Sequence, residues 1–136
     1  MINLYEYIER LETIYNTKIE YDKKISLISE EVPVALKELY NQIDGVSFPF
    51  GCIFPLEKAM EFSKQKSLQN KWFYFGHDYE EHTIWLCLYK PDAEGRSFNF
   101  CSKSDLSGLN ALYKDIVEFL EDMRADYDDD PWNEKK

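Results

Sequence analysis

The sequence predicts an α+β domain: a twisted, mainly antiparallel sheet with a central meander, flanked by N-terminal, middle and C-terminal helices. Three observations predict it. Apolar residues recur at three- and four-residue steps in separate segments near the start, middle and end of the chain, the mark of amphipathic helices. Between the last two of these, aromatic and β-branched runs are separated by short polar turns, which favours consecutive antiparallel strands. A chain of 136 residues, 44% hydrophobic and 31% charged, is large enough for one core and too small for two.

In chain order, Leu4, Ile8, Leu11 and Tyr15 form one stripe of a helix over Ile2 to Tyr15, ended by Asn16 and Thr17. Ile19 and Tyr21, then Ile25 and Leu27, alternate weakly, as in a loop or an edge strand. Pro33 is placed to start a second helix carrying Leu36, Leu39, Tyr40 and Ile43, and Asp44-Gly45 reads as its stop, with Gly45 as a left-handed cap. Ser47 to Ile53 is extended but interrupted by Pro49 and Gly51, so it is expected at a sheet edge or a bulge. Pro55 precedes a short helix over Glu57 to Ser63. Trp72 to Gly76, Thr83 to Tyr89 and Ser97 to Cys101 are the meander strands. The last helix is expected from Leu109 to Arg124, with Leu112, Ile116, Phe119, Leu120 and Met123 on one face. Residues 1–126 then form the domain and 127–136 an acidic, disordered tail.

Sixteen Lys plus Arg against twenty-six Asp plus Glu gives a net charge of −10. That argues against nonspecific binding to nucleic acid or anionic membrane and suits a basic protein partner. Eight acidic and three basic residues follow from Glu118 onward, so half of the net charge sits at the C-terminal end. The longest apolar run, Ile84 to Tyr89, is six residues, far short of a membrane span. Glu6 and Glu9 interrupt any leader, and the three cysteines, Cys52, Cys87 and Cys101, show no paired spacing. The expectation is a cytoplasmic protein in a reducing compartment.

Catalytic and cofactor chemistry finds little support. None of the phosphate-cradling or nucleophile-elbow glycine patterns occurs, and no cofactor is expected. His77 and His82 flank Asp78, Glu80 and Glu81, but a five-residue step diverges on a helix and on a strand, so no metal site is expected. Cys52 reads as a buried structural thiol, although it would become a nucleophile if a histidine met it in space.

The strand faces suggest where a partner could bind. Ile84, Leu86 and Leu88 alternate with Trp85, Cys87 and Tyr89. A hairpin turn over Asp92 to Gly95 would add Phe98 and Phe100, with Phe73 and Phe75, to the aliphatic set, and would place Trp72 and Tyr74 on the other. The mixed aromatic face is either a second core layer or an interface anchored by Trp72, Tyr74, Trp85 and Tyr89. In the latter case Asp78, Glu80 and Glu81 supply its charges.

The run Val32-Pro33-Val34-Ala35-Leu36-Lys37-Glu38-Leu39-Tyr40-Asn41-Gln42-Ile43-Asp44-Gly45, followed by Ile53-Phe54-Pro55-Leu56-Glu57-Lys58-Ala59, resembles the start of a SUKH-superfamily domain. Trp72 to Asp78 followed by Thr83 to Leu88 is similar to that family's central strand pair, and Ala111 to Met123 to its closing helix. The resemblance implies the α+β fold above and a non-enzymatic bacterial immunity protein that neutralises a cognate toxin, frequently a nuclease. A regulatory scaffold for an endogenous protein, a role also found among SUKH relatives, is the alternative. A small hydrolase using Cys52 or the His77/His82 turn is the third.

Overall fold

The computed structural model describes residues 3–23, 31–64, 68, 70–102 and 109–129. Helix α1 (Leu4–Tyr15) begins where the Asn3 side chain accepts the Glu6 N–H, and ends where Asn16 takes the left-handed region at φ 51°. It buries Leu4, Tyr7, Ile8 and Leu11. Strand β1 (Glu20–Lys23) is exposed at the sheet edge, as the weak alternation suggested; Ile25 and Leu27 lie outside the described residues. Helix α2 (Val34–Gln42) follows Pro33 and buries Leu36, Leu39 and Tyr40.

Asp44-Gly45 is not a helix stop. The helix passes directly into β2 (Ile43–Phe48), and Gly45 lies within that strand, where pairing with β1 slips by one residue. Its φ of 97° is one that side chains rarely adopt, and a Cβ there would stand 2.9 Å from the Pro55 nitrogen. Nor does Ser47 to Ile53 lie at the sheet edge. It forms a hairpin of β2 with β3 (Gly51–Ile53), with Pro49 in the turn, where it need not donate.

Helix α3 (Leu56–Phe62), whose first N–H is taken by the Asp44 carboxylate, leads to β4 (Trp72–Asp78), β5 (Thr83–Leu88) and β6 (Phe98–Ser102). The six strands lie in chain order and pair antiparallel throughout, so the meander includes the whole sheet.

Helix α4 (Ile116–Asp129) starts later than the periodicity predicts. Leu112 and Tyr113 donate to the Phe98 carbonyl and so pair with β6, which leaves the Leu112 side chain exposed. The Asp115 carboxylate accepts the Glu118 N–H at 2.8 Å. The Asp115-x-x-Glu118 spacing therefore marked the start more faithfully than the apolar stripe did. At its other end α4 continues past residue 126 with Tyr127 buried, which corrects the expected tail boundary; residues 130–136 lie outside the described ones. No helix of the described residues is long and apolar enough to cross a membrane.

The strand faces are joined differently from the expectation. Antiparallel partners share a face, and Phe98 stands opposite Cys87, Phe100 opposite Trp85 and Phe73 opposite Cys87. The larger core therefore combines Phe73, Phe75, Trp85, Cys87 and Phe98 with the buried faces of α1, α2 and α4. Ile84, Leu86 and Leu88 join Trp72, Leu68 and Ala111 in a smaller cluster on the opposite face. Alternation within each strand was right, but the parity between strands is set by turn length and by the bulge at Tyr74 to Gly76.

Candidate functional site

Two of the proposed interface anchors are interior. Trp85 is 0% exposed, with its indole between Phe50, Phe75 and Phe119 at ring distances of 6.4, 6.2 and 5.5 Å. Helix α4 covers the face that the sequence left open, and the interface assignment of Trp85 is withdrawn. Backbone at Gly51 and Gly76 closes on the same indole, since a Cβ would meet Trp85 at 2.5 Å from Gly51 and 2.9 Å from Gly76. Trp72, 2% exposed, belongs to the smaller cluster and is withdrawn as well.

The other predicted residues keep some surface. Tyr74 is half-buried and stacks on Phe62 at 5.4 Å, and Tyr89 packs edge-on against Phe73 at 5.9 Å. Asp78 is occupied within its own turn, where its carboxylate accepts the His82 and Thr83 N–H groups at 3.0 and 3.2 Å. It shapes the connection that presents Glu80 and Glu81. Both glutamates are exposed; Glu80 lies 3.7 Å from His82, and Glu81 lies 3.5 Å from His77.

The same turn creates a pair that the sequence could name only conditionally. Register places Cys52 of β3 opposite His77 of β4, and Sγ lies 3.4 Å from Nε2. Nδ1 is 2.7 Å from the Asp78 carbonyl, which only accepts, so Nδ1 bears a proton and Nε2 is the ring nitrogen that faces the thiol. Phe54 packs against the imidazole at 5.4 Å and holds its plane. Cys52 is half-buried rather than sealed in the core, and it borders a cleft of about 360 Å³. Burial pushes its thiol above the ordinary value, outweighing the His77 backbone N–H and the Lys58 charge, which act the other way. His82 is exposed and faces Glu80 at 3.7 Å instead. Among the described residues no group of three or more His, Cys, Asp or Glu side chains could hold a metal ion.

A second feature lies on α4. Glu118, Asp122, Asp126 and Asp129 follow one another at four-, four- and three-residue steps, and all are exposed. They form one carboxylate row along the helix. Partial burial, then the charges of Asp122 and Asp129, raise the Asp126 carboxyl above its ordinary range. The helix flank toward α1 is neutralised instead. Arg124 reaches Glu121 at 2.7 Å and Asp128 at 3.1 Å, while Tyr7 and Tyr15 donate to Glu121 and Asp128. Tyr79 of the β4–β5 turn meets Tyr127 at 4.9 Å, which packs that turn against the C-terminal part of α4. The row was legible as an excess of charge near the C-terminus. Its arrangement on one face required the helix to extend to Asp129.

The chain matches no family model, no curated protein and no solved structure.

Proposed function

We propose that this chain is a non-enzymatic protein-binding domain of the SUKH immunity type, which neutralises a cognate bacterial toxin through the acidic face of α4. The observation that carries the reading is that this face is electrostatically unfavourable for the helix itself. Like charges at i,i+4 cost roughly 0.2–0.5 kcal/mol per pair, and carboxylates at a helix C-terminus oppose its dipole. Asp126 and Asp129 stand at that end of α4, and its last turn has no basic residue. Asp122 also accepts the Tyr113 hydroxyl, but neither the core nor the Arg124 network uses Glu118, Asp126 or Asp129, so binding to a positive surface is the role that accounts for the row. A nuclease toxin supplies such a surface, because its substrate is a polyanion. Exposed Glu80 and Glu81 and half-exposed Tyr74 and Tyr89 remain as separate contact residues.

The Cys52–His77 contact is the observation that favours a hydrolase instead. Burial that keeps the resting thiol protonated works against a standing thiolate nucleophile, so the binding reading is preferred.

Growth rescue tests the proposal. The chain is co-expressed with the product of each neighbouring gene that arrests growth, as the native chain and as the Asp122→Asn/Asp126→Asn/Asp129→Asn variant. The native chain should restore growth and the variant should fail to do so while melting no lower. Undiminished rescue by a folded variant would remove α4 from the interface. A stable complex with a non-toxic neighbour would favour the regulatory scaffold, and turnover of an ester or amide that is lost in Cys52→Ser would favour the hydrolase.

A further inference from the structure

The Cys52–His77 pair lies outside the acidic binding face, and its geometry is that of a thiol with a base already aimed at it. We propose that Cys52 is a modification site at which a small cationic or neutral disulfide, entering the cleft between the β1 edge and α3, exchanges with the thiol while His77 handles the proton.

Three observations support this. The Asp78 carbonyl holds a proton on Nδ1, which leaves Nε2 as the ring nitrogen that faces Sγ at 3.4 Å. The Glu81 carboxylate lies 3.5 Å from the same Nε2, where it can accept a hydrogen bond from the proton once it arrives. The cleft beside Cys52 measures about 360 Å³, which gives a small molecule room to approach. Among the described residues it is lined by Glu20, Asp22 and Asp44 against the single basic residue Lys58, so its charge disfavours an anionic disulfide.

The exchange balances without a further reagent. Sγ attacks one sulfur of the disulfide as its proton passes to Nε2. The new Sγ–S bond forms as the original S–S bond breaks, and the departing thiolate takes the proton back from Nε2. Cys52 is oxidised to a mixed disulfide, and the other half of the reagent is reduced to a free thiol. Because the base acts during the attack, the step does not need a thiolate at rest, which burial disfavours.

The other cysteines provide internal references. Cys87 is 0% exposed, whereas Cys101 is half-exposed on β6. The full chain is treated with cystamine under native conditions, quenched with acid, and mapped by peptide mass spectrometry. Cys52 should acquire the adduct at least about tenfold faster than Cys101, and His77→Asn should slow Cys52 by about tenfold while leaving Cys101 unchanged. Since the imidazole packs on Phe54, the variant's fold is checked by circular dichroism. Glu81→Gln, whose side chain is 70% exposed, provides a second variant that should slow Cys52 by about threefold. Relative to Cys101, cystamine should outpace oxidised glutathione at Cys52. Faster reaction at Cys101, or Cys52 rates unchanged in both folded variants, would overturn the proposal. A preference for oxidised glutathione would overturn its choice of disulfide.

Discussion

Trp85 offers the sharpest test of how the core is built, because two substitutions at one position should behave oppositely. Its indole is 0% exposed, and its Nε1–H finds no acceptor among the described residues. Trp85→Ala should cost about 3–5 kcal/mol, as for other buried aromatic truncations, a large share of the roughly 5–15 kcal/mol typical of a domain. Trp85→Phe removes only about 40 Å³, worth about 1 kcal/mol at roughly 24 cal/mol per Å³ of cavity. It also removes a buried donor whose lack of a partner costs about 1–3 kcal/mol. The balance runs from neutral to about 2 kcal/mol stabilising. Urea denaturation followed by far-ultraviolet circular dichroism reads both variants without depending on indole fluorescence. A loss of 2 kcal/mol or more in Trp85→Phe would show that the N–H is satisfied, and an Ala variant as stable as the native chain would refute the buried placement.

Three further outcomes are expected. Gly76→Ala places a Cβ 2.2 Å from the Cys52 carbonyl oxygen, which is backbone and cannot swing away, so a loss of about 3 kcal/mol is expected. Gly95→Ala, with φ 82° and nothing within 4 Å, should lose only the backbone strain of about 1–2 kcal/mol; equal losses in thermal melts would refute the contrast. Tyr127→Ala should cost about 3 kcal/mol, because the ring is buried against Tyr15 and Tyr79, and an unchanged melting temperature would return residue 127 to the tail. At Glu121, partial burial works to raise the carboxyl, but hydrogen bonds from Arg124 and Tyr7 prevail and hold it below its ordinary 4.5. A depressed acid stabilises the fold above that value and loses its contribution as pH falls through the folded-state value. Glu121→Gln should therefore weaken the protein at neutral pH and flatten its acid unfolding limb; parallel pH profiles for variant and native chain would contradict this.

Local signals determined the element types. The apolar steps of α1, the proline before α2 and the aromatic and β-branched runs of β4 and β5 act through neighbours a few residues apart, and such effects are present in the sequence itself. The meander was legible for the same reason, because short polar turns join adjacent antiparallel strands. Only tertiary structure decided how the faces combine. One extra residue in the bulge of β4, or one more in the β5–β6 connection, inverts the parity of everything beyond it, and alternation cannot count across a turn. That is why Trp85 proved to be core under α4 and not a binding surface. The acidic row needed the helix to continue through Asp129, which the buried ring of Tyr127 anchors against α1 and the β4–β5 turn. The Cys52–His77 pair needed register between strands whose partners are 25 residues apart, a relation fixed by pairing and invisible to any local pattern.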